Sequence, residues 1–174
     1  MVFINVTKVC FVEYFYYKLC CAIKHFYRLC PFIICLLFVS EKIAFHASLS
    51  SPIFGTTQGQ TIVFGQVDTN LGGGYNSTTG VFTAPVAGTY LFSLTFYMWY
   101  GSPYVSVGQL SIMQNNVQSI RVWLEVDDNA KRGTASGTTV LSLNKGDQVL
   151  VQAGTARMYM DGVKLSFFSG FLLG

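Results

Sequence analysis

Residues 63–92, VFGQVDTNLGGGYNSTTGVFTAPVAGTYLF, hold six glycines, five aromatic residues and a single charge, Asp68. Glycine at this density works against a helix, because each interior glycine costs about 1 kcal/mol relative to alanine. The apolar content is equally wrong for a solvated loop. What remains is a series of short strands joined by tight turns. Gly72–Gly74 supply a sharp reversal before Tyr75 enters a core. Pro85 falls in a connection, where its missing N–H costs nothing, and Gly88 opens the next strand.

The same grammar extends in both directions. From Ile43 onward the predicted strands are Ile43–Leu49, Thr61–Val67, Val81–Ala84, Thr89–Tyr100, Val107–Met113, Val117–Glu125, Ala135–Leu143, Gln148–Ala153 and Lys164–Leu173. Between them stand segments rich in Gly, Asn, Asp and Ser, which tolerate positive φ or close Asx turns. Strands at intervals of roughly 8–12 residues, with no amphipathic helix between them, indicate an antiparallel sandwich or barrel.

Thr89–Tyr100 (TYLFSLTFYMWY) is the informative run. One parity reads Tyr90, Phe92, Leu94, Phe96, Met98, Tyr100; the other reads Leu91, Ser93, Thr95, Tyr97, Trp99. Both faces are largely apolar or aromatic, so both need cover. A two-layer sandwich covers one of them. The second calls for another subunit, and the absence of any charge from Thr69 to Ile120 agrees with an oligomer interface.

Composition narrows the function classes. The chain is 51% hydrophobic and 11% charged, against about 25% charged residues in an ordinary soluble domain. That excludes disorder, which needs the reverse balance. The longest charge-free apolar run at the N-terminus, Leu29–Ser40, has twelve residues, short of the roughly 20 that a spanning helix requires, so no stable membrane span is expected. Residues 43–174 carry six basic and six acidic side chains. Nucleic-acid binding is not expected without a basic patch.

Residues 1–40 differ from the rest. All five cysteines (Cys10, Cys20, Cys21, Cys30, Cys35) lie there, in odd number and without CxxC spacing, which indicates neither a disulfide framework nor a zinc site. The basic Lys24 and Arg28 precede the apolar CPFIICLLFV and the small Ser40, the layout of a secretory signal. Its long aromatic leader and Phe38 depart from that layout. Three readings stay open: an atypical signal, a retained signal-anchor, or a mis-assigned start. The expected domain is 41–174.

The opening stretch resembles the signature of the globular head domain of complement C1q. Phe64, Asn70, Tyr75, Phe82, Gly88, Tyr90 and Phe92 stand at the family's spacings, with Leu94 where the family has an aromatic residue. AFHASL (44–49), LSLNKGDQV (141–149) and FFSGFLL (167–173) are similar to further family blocks, so the resemblance covers nearly everything after Ser40. It implies a ten-stranded antiparallel jelly-roll sandwich that assembles as a homotrimer, an architecture shared with tumour necrosis factor-like cytokines. It also implies that Tyr90, Phe92, Leu94, Phe96, Tyr97, Trp99, Phe168 and Phe171 build the core or the trimer interface. The function implied is that of a secreted recognition protein of innate immunity, binding microbial carbohydrate or lipopolysaccharide. The alternative is a trimeric cytokine-like ligand or an extracellular structural component. No collagen repeat or heptad stalk precedes the domain here, so a head-only member is expected.

Candidate chemistry is sparse. The histidines are His25 and His46, no cysteine follows Cys35, and there is no GxSxG elbow, so no enzyme is expected. EVDDNAKRG (125–133) is an acidic loop without the EF-hand pattern. The resemblance implies calcium ligands at Glu125 and at Gly133, and glycine has no side-chain oxygen, which leaves Asp127 or Asp128 to stand in. No cofactor is required. KGD (145–147) reads as a hairpin turn and not as an integrin motif. Asn76 in NST (76–78) is the expected glycan site, whereas NVT (5–7) is not.

Overall fold

The computed structural model describes residues 42–127, 131–162 and 164–173; segment 1–40 and Asp128 lie outside them. Among these residues the strands are β1 (Ala44–Ser48), β2 (Ile53–Phe54), β3 (Gln66–Leu71), β4 (Tyr75–Asn76), β5 (Val81–Thr83), β6 (Gly88–Trp99), β7 (Val107–Gln114), β8 (Val117–Glu125), β9 (Arg132–Leu143), β10 (Gln148–Ala153), β11 (Tyr159–Met160) and β12 (Phe167–Leu172). They form two antiparallel sheets. The larger runs β2-β11-β6-β12-β1-β3, with β9 on the other edge of β6; the smaller runs β4-β5-β10-β7-β8. This is an all-β jelly roll, as expected.

The central strand is β6. Along one edge it pairs with β9 from Gly88↔Leu143 to Trp99↔Arg132. Along the other it pairs with β12 and then with β11. Tyr90, Phe92, Leu94, Phe96 and Met98 point between the sheets and are fully buried. The intervening Leu91, Ser93, Thr95, Tyr97 and Trp99 are half-buried on the opposite face.

The five aromatic residues of 63–92 all end in this core. Phe45 stacks on Tyr75 with ring centroids 4.7 Å apart, and its ring edge meets Phe168 at 5.1 Å. Phe82 packs edge-on against Phe92 at 5.4 Å and Tyr90 at 5.6 Å, and Phe64 lies 6.0 Å from Phe168. Tilted and edge-on pairs of this kind are favoured by the ring quadrupole. Room for them comes from Gly170 on β12, where a Cβ would sit 2.6 Å from the Phe92 ring and 2.7 Å from that of Phe45.

Polar groups at the signature positions close the local structure. Gly72 and Gly73 take positive φ (75° and 65°). The Asn70 side chain clamps the turn they form: its Nδ2 donates to Tyr75 O at 2.8 Å, and its Oδ1 accepts from Tyr75 N at 3.2 Å. The Tyr75 hydroxyl donates to Phe64 O at 3.1 Å and that of Tyr90 to Val86 O at 2.9 Å.

Several expected boundaries move. Thr61–Val67 is not a strand: Ile62 and Phe64 are fully buried, but the backbone there makes only an isolated bridge, Thr61 to Gln152, and pairing begins at Gln66. Alternating burial imitated a strand in a segment that merely crosses the core edge. Lys164 has φ 67° and Leu165 N donates to Gly162 O, so the closing strand starts at Phe167 and not at Lys164. The acidic loop is shorter than read, since Glu125 ends β8 and Arg132 already starts β9.

Burial pushes the Tyr75 phenol up to about 12. Below the ordinary tyrosine value of about 10 both folded and unfolded chains keep this proton, so its contribution is constant. Above about pH 10 the unfolded chain releases it first, and stability falls until the pH reaches about 12. Tyr75→Phe should remove that alkaline slope, at a cost of about 1 kcal/mol at neutral pH for the lost hydrogen bond. Urea midpoints of both proteins at about pH 9 and about pH 11 check this.

Candidate functional site

Two outer walls remain once the core is filled, and they differ in chemistry. On the larger sheet the register lays side chains in rows across the strands. One row is apolar: Val140, Leu91, Phe171, Ala44 and Leu71 lie side by side. Val140, Phe171 and Leu71 are 54%, 44% and 51% exposed. The next row is hydroxylic, running Thr138, Ser93, Ser169, His46 and Thr69. His46 Nδ1 lies 2.7 Å from Ser169 Oγ within it. A third row joins Ser136 to Thr95, their hydroxyls 2.8 Å apart, and continues to Phe167 and Ser48.

At the far end the wall becomes aromatic. Trp99, Tyr159 and Phe54 are aligned by register, with Trp99–Tyr159 and Phe54–Tyr159 centroids 5.5 Å and 5.1 Å apart. Tyr104 closes the cluster at 5.3 Å from Tyr159. Arg132, beside Trp99, is the one charged side chain in these four rows. An apolar wall of this breadth is unusual on a soluble single chain. Its short hydroxyls and scarcity of charge suit contact with other protein.

The structure separates the residues expected at the core or interface into two groups. Tyr90, Phe92, Leu94, Phe96 and Phe168 belong to the sandwich core. Tyr97, Trp99 and Phe171 belong to the outer wall. Phe64, Asn70, Tyr75, Phe82 and Gly88 support the core and its turns.

The remaining candidates are peripheral. Glu125 and Asp127 are both exposed at the end of β8, and among the described residues no group of three His, Cys, Asp or Glu side chains gathers to hold a metal. His46 has a serine, not a carboxylate, on its ring nitrogen. Asp147 works for its turn: Oδ2 accepts from Asn144 N at 2.8 Å and Oδ1 from Asn115 Nδ2 at 3.0 Å. Those bonds hold its carboxyl below the usual range. Asn76 Oδ1 accepts from Thr78 N and Thr79 N in an exposed turn.

Part of the smaller sheet's wall is polar. A groove of about 390 Å³ runs over β7, β8 and β10, and glutamine side chains with Arg121 dominate its lining. Sequence reading did not single out this groove. Its residues are scattered over four segments, and no single strand carries enough of them to form a pattern.

Comparison with known proteins gives a consistent result. A family model described as C1q domain matches residues 44–173. Complement C1q tumor necrosis factor-related protein 3 of Mus musculus is 34% identical over 133 residues, 76% of this chain and 51% of its own length. Protein HP-25 homolog 1 of Bos taurus is 35% identical over 131 residues, 75% of this chain and 58% of its own. The chain thus spans about half the length of the curated relatives it matches. The solved globular domain of zebrafish complement 1qA protein superposes with a TM-score of 0.62 at 22% identity, over 76% of this chain and 98% of that one. The Eiger TNF of S. frugiperda gives 0.64 at 14%, over 77% and 94%. Murine APRIL gives 0.62 at 13%, over 76% and 99%. At these identities the three solved structures share the fold.

Adjacent residues of β6 should respond differently to one substitution. Phe96→Lys places an ammonium in the core and should cost about 4 kcal/mol or more, enough to prevent folding. Tyr97→Lys places it on the outer wall and should change the urea midpoint by the equivalent of about 1 kcal/mol. Circular dichroism during urea titration of both variants reads the difference.

Proposed function

This chain belongs to the C1q domain family, and we propose that it acts as an extracellular, homotrimeric ligand of the tumour necrosis factor-like kind. It is a binding protein and not an enzyme. One observation carries this reading: the outer wall of the larger sheet is a broad uncharged surface, apolar in one row and hydroxylic in the next. Three copies packed around an axis through these walls would hide Leu91, Phe171 and Val140 from water. Each would leave its smaller sheet and connecting loops outward, free to engage a partner. Support for the signalling role comes from the relative named tumor necrosis factor-related protein and from the fold shared with Eiger TNF and APRIL. No helix among the described residues is long and apolar enough to cross a membrane.

A second reading, recognition of microbial carbohydrate or lipopolysaccharide, is favoured by one feature, the amide-lined groove on the opposite wall. Trimerisation would serve either role, since three weak sites on one particle gain avidity without new contacts.

The assembly is tested by sedimentation. The full chain should run as a trimer, and Phe171→Lys should yield a folded single chain. A wild-type monomer at micromolar concentration would refute the assembly. The role is tested on host cells. Labelled wild-type protein should bind saturably in the presence of excess free monosaccharides, and monomeric Phe171→Lys should bind at least about tenfold more weakly. Binding that the sugars abolish would favour the carbohydrate reading instead.

A further inference from the structure

We propose that the groove on the smaller sheet is a binding site for an acidic sugar, a pyranose ring that carries a carboxylate. The inference rests on the carbohydrate-recognition reading and names its ligand class.

The strand geometry assembles the site. Ser111 on β7 pairs with Arg121 on β8 and with Gln152 on β10. Simple alternation along β8 would send Gln118 to the opposite face from Arg121. A bulge intervenes: the register steps from Ile112↔Ile120 to Met113↔Gln118 and skips Ser119. The extra residue flips the parity, so Gln118 joins Arg121 on the groove side. Its Oε1 accepts from Ser111 Oγ at 3.2 Å and from the Arg121 guanidinium at 3.2 Å. The serine is 4% exposed, which holds that amide oxygen from below.

The other walls are equally fixed. Gly59 N donates to Ala153 O and Ala153 N to Gln60 O, both at 2.8 Å. These bonds tie the turn that carries Gln58 to the end of β10. Gln109 lies over Gly154, where any Cβ would strike its amide, while Gly154 N donates to Gln109 O at 2.9 Å. Directly across from Gln109 on β8 stands Trp123, 56% exposed and two residues from Arg121 on the same face.

This inventory specifies a ligand. Each carboxamide offers both donors and an acceptor, which matches ring hydroxyls that also do both. Just outside the groove's lining, the exposed indole of Trp123 beside Gln109 offers a flat apolar face for the C–H side of a pyranose. A guanidinium binds a carboxylate through two parallel hydrogen bonds. No lining residue is acidic, so no groove carboxylate competes for Arg121. Over the groove floor an extended peptide finds no unpaired edge on β7, which is bonded to β8 on one side and β10 on the other; the nearest free edge of this sheet is the far side of β8, turned away from β7 and β10. A nucleic acid would need a basic cluster, whereas the groove supplies one cation.

Retention of the full chain on immobilised polymers tests the assignment. Polygalacturonate and polysialic acid are the acidic columns, and methyl-esterified polygalacturonate is the neutral one. Retention on at least one acidic polymer is expected, with elution by its free monosaccharide, and none on the ester. Arg121→Gln and Trp123→Ala should each weaken retention about tenfold or more, with unchanged circular dichroism and sedimentation. Lys145→Gln, in the distant hairpin, should not. Equal retention on the esterified polymer, lost in Trp123→Ala, would overturn the acidic class while leaving carbohydrate recognition standing. Absence of retention on every column, or equal loss in Lys145→Gln, would overturn the site itself.

Discussion

Strand β6 carries the structure. It is hydrogen-bonded along both edges, and its inward side chains, Tyr90 to Met98, are the middle of the core. Because side chains alternate strictly along a strand, everything built on its other face is decided at the same time. Once Phe92 and Phe96 point inward, Leu91, Tyr97 and Trp99 have to face outward. The core thus fixes which side chains make up the outer wall. Gly170 belongs to the same constraint, since the rings of Phe45 and Phe92 share the space its side chain would occupy.

What could be read in the sequence was whatever alternation and turn chemistry encode locally. Both parities of β6 were visible, as was the Asn144–Asp147 turn, and the signature residues pointed to the fold. The two-residue strands β2 and β11 were not visible, because Phe54 and Tyr159 pair with partners that the tertiary fold delivers, and β4, a local hairpin partner of β5, is too short for alternation to mark it. Ile62 and Phe64 misled for the opposite reason. They alternate as strand residues do, yet their backbone passes the core edge without a ladder. The groove was hidden by the bulge at Ser119, since counting by twos along 117–125 puts Gln118 with Ile120 and away from Arg121.

The two walls differ in chemistry. The larger sheet has hydroxyls paired in short cross-strand contacts and apolar side chains between them, a surface that gains from losing water. The smaller sheet has amides and a guanidinium, groups that stay hydrated until a ligand replaces the water. Long charged side chains are missing from the rows of the first wall except at Arg132, and one charge marks the groove in the second. The self-association and the ligand site proposed above can therefore coexist on a domain of this size without competing.

That division has a consequence for chains that share this scaffold. The apolar row from Val140 to Leu71 and the groove around Arg121 draw on opposite faces of different sheets, with the aromatic core between them. A duplicated copy could exchange every groove side chain and still present an unaltered apolar row to its siblings. With the assembly and the ligand site proposed above, copies diverged in this way would mix within one particle, and a few chains would then generate many combinations of binding sites.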